Sequence, residues 1–196
     1  MMTNPAEVLG PWRRGWTLDI HTTSSNFLGY DTKGREVYDT KRSPLGELVY
    51  QLKYRGRQCA PEIAAVMAEF FHDKSITLKS IDVIAPIPPS TPRAVQPVAA
   101  IAMKLGKLLH KPVVTDAIRK SRRTPGLKDI QDSEARRELL DGAFEVDRAQ
   151  ISGKGVLLLD DLYRSGATAN AVTVALMGAG APRVYFLAAT RTRSNA

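Results

Sequence analysis

Two adjacent carboxylates, Asp160 and Asp161, follow an unbroken apolar run from Val156 to Leu159. Four such residues in a row read as an interior strand of a parallel sheet, covered on both faces. The acids then fall where that strand reaches its C-terminal edge, the side on which open α/β sheets bind ligands. Ionised carboxylates side by side repel, so the pair calls for a cation or a set of hydroxyl donors to offset the repulsion. The next residues, Tyr163-Arg164-Ser165-Gly166-Ala167-Thr168, supply hydroxyls, small side chains and one glycine, and lead into an apolar helix over 167–179. Unpaired backbone N–H groups and the positive end of the helix dipole make such a turn a cradle for phosphate. Acceptors for sugar hydroxyls thus stand one turn away from donors for a phosphate, the arrangement that suits a ribose 5-phosphate. A lone acid pair or a lone Gly-x-Thr would be an ordinary strand–helix junction; the full string is far more specific. The chain has neither the GKS or GKT of a P-loop nor a GxGxxG dinucleotide turn.

The elements that must position these residues alternate. IDVIAPI (81–87) reads as a buried strand, the proline-rich 86–93 as a loop and 97–109 as an apolar helix, the first half of a parallel βαβ unit. PVVTDAIRK (112–120) and GAFEV (142–146) read as further strands, with a short helix starting from a Ser133 cap between them. GKGVLLLDD (153–161) and RVYFLAATRT (183–192) are the last two strands. Upstream, PLGELVYQLKYRG has helical apolar spacing and stops at Gly56, and PEIAAVMAEFF (61–71) opens on a first-turn proline. Together these predict an α/β fold with a mainly parallel sheet flanked by helices. Residues 1–44 are less regular, with short strands and turns, and are expected as a peripheral appendage or hood before a domain over 45–196. Trp12, Trp16, Phe27 and Tyr30 are expected to pack that appendage onto the core.

The 196 residues are long enough to bury a real core, and 43% are apolar, which argues against a chain disordered throughout. One cysteine excludes an intramolecular disulfide and a multi-cysteine zinc site and suits a reducing compartment, so a cytoplasmic setting is expected. The apolar runs fall far short of the ~20 residues that cross a bilayer, and no secretory signal opens the chain, so no membrane partner is expected. Twenty-eight Lys and Arg against 20 Asp and Glu give a net +8, which suits an anionic partner. The basic run 119–128, the residues Lys53, Tyr54, Arg55 and Arg57, and Arg183, Arg191 and Arg193 are candidates to converge around one anion pocket. A solvated loop and a surface-facing helix end explain the first two groups equally well. Neither a recognition helix nor a long basic stripe is evident, so only weak, salt-sensitive nucleic-acid binding is expected. His21, His72 and His110 lack ligand spacing, and Cys59 reads as a small buried apolar residue.

VLLLDDLYRSGATA resembles the phosphoribosyl-pyrophosphate (PRPP) signature of type I phosphoribosyltransferases. Within that superfamily the chain is similar to ComF-type proteins through LVYQLKYRGR (48–57), IDVIAPIPPSTPR (81–93), RKSRRTPGL (119–127), GAFEV and AGAPRVYFLAATRT (179–192). The resemblance covers about 44–192. The chain departs from the pattern in lacking the cysteine-rich zinc module and in carrying STPRAVQP where a stretch ending RGFNQ is usual.

The resemblance implies the type I phosphoribosyltransferase fold, and an enzyme that moves ribose 5-phosphate from PRPP to a nitrogen acceptor with release of pyrophosphate. Asp160 and Asp161 would bind the ribose 2- and 3-hydroxyls, and Arg164, Ser165, Gly166, Ala167 and Thr168 the 5-phosphate. Pro88, Pro89, Ser90 and Arg93 fall in the place of the pyrophosphate loop. Arg122 and Arg123 lie in the segment matching a mobile flap, and with the two acids are the candidate catalytic residues. Mg²⁺ would be held mainly by PRPP and water, with no direct protein ligand. Two alternatives stand beside the enzyme: a PRPP-sensing protein with a non-catalytic site, and a competence- or DNA-associated accessory protein. Oligomeric state is open, a homodimer included.

Overall fold

The computed structural model describes residues 1–72, 74–89, 91, 96–121 and 142–193. Among these, the central sheet has five strands in the order β1-β2-β9-β8-β5: β1 (Ala6–Glu7), β2 (Arg14–Ile20), β5 (Val83–Pro86), β8 (Gly155–Tyr163) and β9 (Arg183–Arg191). Only β1 runs antiparallel, on β2; the β2–β9, β9–β8 and β8–β5 pairs are parallel. Strand β8 is therefore interior, as its apolar run predicts. Side-chain alternation divides that run between two cores. Val156 and Leu158 pack with Val172 and Leu176 of the helix Ala167–Gly178, and Leu157 and Leu159 pack beneath the N-terminal helices. All four are fully buried, each stabilising the fold by about 1.5–3 kcal/mol. A charge at any of them would disrupt one layer.

Helices cover both faces. On one lie α1 (Pro44–Tyr54), α2 (Ala60–Phe70) and α4 (Pro97–Leu109), preceded in the chain order by the short α3 (Ser75–Lys79) before β5. Ser43 caps α1, its Oγ accepting from Gly46 N at 3.0 Å, and Pro44 takes the first turn, where a missing N–H costs nothing. On the other face lie the short α5 (Arg148–Ile151) and α6 (Ala167–Gly178). The mainly parallel sheet flanked by helices matches the fold expected from the sequence.

Three local expectations are corrected. Residues 14–20 belong to the central sheet: β2 pairs along β9 from Arg14↔Tyr185 to Ile20↔Arg191, and Trp16 and Leu18 are buried. The part of 1–44 that stands apart is the hairpin of β3 (Thr22–Tyr30) and β4 (Glu36–Arg42). Trp12 and Trp16 do enter the core, against Phe186 and against Phe70 and Phe71. Phe27 and Tyr30 do not: they pack on each other while remaining 51% and 68% exposed. In 112–120 only β6 (Ile118–Lys120) is a strand, with Val113 making one parallel bridge to Ile84. It pairs antiparallel with β7 (Phe144–Val146) in a separate ribbon, because Thr115 and Asp116 interrupt the apolar run. The Ser133 helix and most of the basic run lie outside the described residues.

Candidate functional site at the sheet edge

The four parallel strands point their C-terminal ends, at Ile20, Arg191, Tyr163 and Pro86, to one edge of the sheet. Strand β5 is the shortest reach: its last pair is Pro86↔Leu159, so Asp160 is the first residue of β8 to clear it. On its other side β8 stays paired with β9 through Tyr163↔Arg191. The acid pair thus stands in a step of the sheet, supported by one neighbour and open above the other. Ile87 N donates to Leu159 O at 2.9 Å, so Pro88 and Pro89 leave the sheet beside Asp160. Ser90 and Arg93 of the expected pyrophosphate loop, and Arg122 and Arg123 of the expected flap, lie outside the described residues.

The two carboxylates have different surroundings. Asp161 is 5% exposed, and Lys53 Nζ from the last turn of α1 donates to both its oxygens, at 3.1 and 2.9 Å. Among the described residues Asp160 has no such cation in contact; its Oδ1 accepts from Asp161 N at 2.8 Å. Desolvation, with the Asp161 charge adding to it, pushes the Asp160 carboxyl up to about 8. Lys53 has therefore neutralised one acid, and the other, held by backbone N–H donors, has no cation in contact among the described residues. That demand is what a ligand carrying hydroxyls and a bound cation would meet. No cluster of three metal-ligating side chains occurs among the described residues. This donor set would accommodate a Mg²⁺ held by ligand oxygens and water, without a cage of protein side chains.

The turn after β8 is built for close approach. Gly166 caps α6 with φ +75°, and a Cβ there would meet the Tyr163 hydroxyl oxygen at 2.6 Å. Among the described residues no side chain caps α6, so its first N–H groups are left to whatever enters the turn. Arg164 and Ser165 are exposed and Ala167 and Thr168 half-buried, so the five residues expected to bind phosphate form one continuous turn beside the acids.

Sequence reasoning undervalued two residues. Lys53 reads equally well as a surface-facing helix end, and its partner lies 108 residues away. His21 lacks ligand spacing in the sequence, yet it follows β2 at this same edge, with Nδ1 3.1 Å from Thr190 Oγ1. No local signal marks it. The expected convergence of cations fails for Arg183, which begins β9, the strand that Arg191 ends. Eight residue steps, roughly 26 Å, separate them. Cys59 is buried, and desolvation pushes its thiol up, as expected of an inert packing residue.

No family model matches the chain, and no curated protein matches it. Among solved structures it is similar to one described as the allosteric regulatory enzyme of purine biosynthesis, at 20% identity and a TM-score of 0.47, over 81% of this chain and 34% of that one. A glutamine PRPP amidotransferase from B. subtilis complexed with ADP and GMP aligns at 19% identity and a TM-score of 0.45, with 81% and 34% covered. A UMP synthase from Leishmania donovani aligns at 17% and 0.40, with 83% and 28% covered. The chain spans about a third of the length of these structures.

Proposed function

We propose that the chain binds PRPP at residues 160–168 and transfers its ribose 5-phosphate to a nitrogen of a small acceptor, releasing pyrophosphate. The observation that carries this reading is the under-neutralised acid Asp160 standing one turn from the uncapped N-terminus of α6. Asp160 and Asp161 take the ribose diol, and Arg164 to Thr168 take the 5-phosphate through backbone N–H groups and the Ser165 and Thr168 hydroxyls. Pro88 and Pro89 start the loop assigned to the pyrophosphate, with Ser90 and Arg93 beyond them. Displacement at C1 of the ribose builds positive character on the sugar while an anionic group departs, so fixed dipoles and cations at the phosphates favour it. Mg²⁺ bound to the substrate oxygens would supply further charge stabilisation of the leaving group. Arg122 and Arg123 are assigned to closing over the sugar, which excludes water as a competing nucleophile.

The sequence motifs 48–57, 81–93 and 179–192 place the chain, in this reading, in a ComF-like branch without a zinc module. The β3–β4 hairpin is the part of 1–44 that we assign to a hood over the acceptor. One buried free cysteine suits a reducing, cytoplasmic setting; among the described residues no helix is long and apolar enough to cross a membrane. The Lys53–Asp161 ion pair favours a second reading, PRPP binding without turnover, in which one acid stays committed to the protein.

A thermal-shift titration with PRPP and Mg²⁺, then pyrophosphate release against a panel of nucleobases, separates the readings. PRPP at 100-fold over its Kd is expected to add ~2.7 kcal/mol, and Asp160→Asn with Asp161→Asn to abolish the gain. No shift at any Mg²⁺ concentration refutes both readings; a shift without pyrophosphate release selects the second.

A further inference from the structure

Thr190 ties His21 to the acid pair through one hydroxyl. Its Oγ1, on a fully buried residue, donates to the Asp161 carbonyl oxygen at 3.0 Å and lies 3.1 Å from His21 Nδ1. A threonine hydroxyl owns one proton. With that proton on the Asp161 carbonyl, Nδ1 must be the donor in the second contact. His21 is then the Nδ1–H tautomer, and its Nε2 keeps a lone pair. Among the described residues Nε2 has no hydrogen-bond partner, and the residue is only partly buried. The backbone is held as firmly as the ring. A Cβ on Gly46 would run into the His21 carbonyl oxygen, so α1 lies directly against this residue. Among the described residues the charged groups around the imidazole are Arg42 from β4, Glu47 and Lys53 from α1, and Asp161 from β8. Burial, with Arg42 adding to it, holds His21 below its ordinary 6.5, so the ring is neutral near pH 7.

A neutral imidazole oriented through one nitrogen and open at the other has the arrangement of a general base. Among the described residues the other basic groups of the edge are engaged: Asp161 by Lys53, and Asp160, in the proposed function, by the ribose diol. We propose that His21 Nε2 takes the proton from the acceptor nitrogen, so the acceptor is an N–H nucleophile that approaches the sugar from the β2–α1 side of the acid pair. This rests on the PRPP reading of residues 160–168. The nitrogen lone pair forms the N–C1 bond, and the C1–O bond to pyrophosphate breaks with its electron pair leaving on the pyrophosphate oxygen. The N–H proton passes to Nε2, and water then takes it from the imidazolium. The competing account of His21 is a structural one, in which the ring only braces Thr190.

The test uses the full chain, its His21→Gln variant, and adenine, guanine, hypoxanthine, uracil, cytosine and orotate as acceptor probes. Thermal shift reports PRPP binding, pyrophosphate release between pH 5 and 8 reports turnover, and ¹⁵N imidazole NMR of the unsubstituted protein reports the tautomer. Expected are a His21 signal of the Nδ1–H form, PRPP affinity within twofold in the variant, turnover lowered at least ~10²-fold, and loss of the acidic limb of the rate profile. Turnover of the variant within threefold of the parent overturns the proposal. So does an Nε2–H tautomer, a reading independent of whether the variant folds, and so does PRPP binding with no turnover of any probe. Absence of PRPP binding by the unsubstituted chain instead refutes the function on which the proposal rests, and both fall.

Discussion

Replacing Asp160 by asparagine removes a proton-binding group whose folded and unfolded affinities differ widely. Its carboxyl sits at about 8 in the fold, against 3.8 for an ordinary aspartate, because it is desolvated and lies beside Asp161. Between those values the folded chain holds a proton that the unfolded chain has released. Raising the pH through this window therefore lowers stability, by about 1.4 kcal/mol per pH unit for one proton. From pH 5 to 7 the loss is on the order of 3 kcal/mol. His21 works in the opposite direction. Held below 6.5, it makes stability rise with pH up to that value, and it acts equally in parent and variant. The lowered carboxyls of Glu7, Asp31 and Asp147 act only below their ordinary range, outside this interval. Urea unfolding of parent and Asp160→Asn at pH 5, 6 and 7 isolates the Asp160 contribution. The advantage of the variant is expected to grow by about 1.4 kcal/mol per unit. Parallel stability curves would refute the assignment of Asp160 as the acid without a countercharge.

Lys53→Met leaves Asp161 buried without its cation and is expected to cost about 3 kcal/mol, partly recovered in Lys53→Met with Asp161→Asn, as a urea double-mutant cycle will show. Gly166→Ala forces an alanine into φ +75° against the Tyr163 hydroxyl, with an expected cost of about 1–2 kcal/mol in unfolding and a weaker PRPP thermal shift. Short duplex DNA should bind only weakly, with affinity falling steeply between 50 and 200 mM salt in an anisotropy titration. Submicromolar duplex binding at near-physiological salt, with no PRPP binding, would favour a nucleic-acid accessory role.

Much of the site was legible along the chain because its parts are local. Four apolar residues, two acids, a glycine that needs a positive φ and an apolar helix start all lie within 156–178, and each follows from backbone sterics or side-chain period. The helices α1, α2 and α4 were readable for the same reason, from apolar spacing and from Pro44, Pro61 and Pro97 near their starts. The tertiary structure alone decided which acid is neutralised. Lys53 reaches Asp161 across 108 residues and His21 reaches Thr190 across 169, and neither residue type carries a local mark of such a partner. It also decided that 14–20 is a central strand, since a seven-residue segment gains a place in a sheet only from the neighbour that takes up its backbone hydrogen bonds, here β9. Periodicity and capping are properties of neighbours in sequence, and they specify elements. The countercharge of a buried carboxylate is a property of neighbours in space, and here it depends on where packing sets the end of α1 above the sheet.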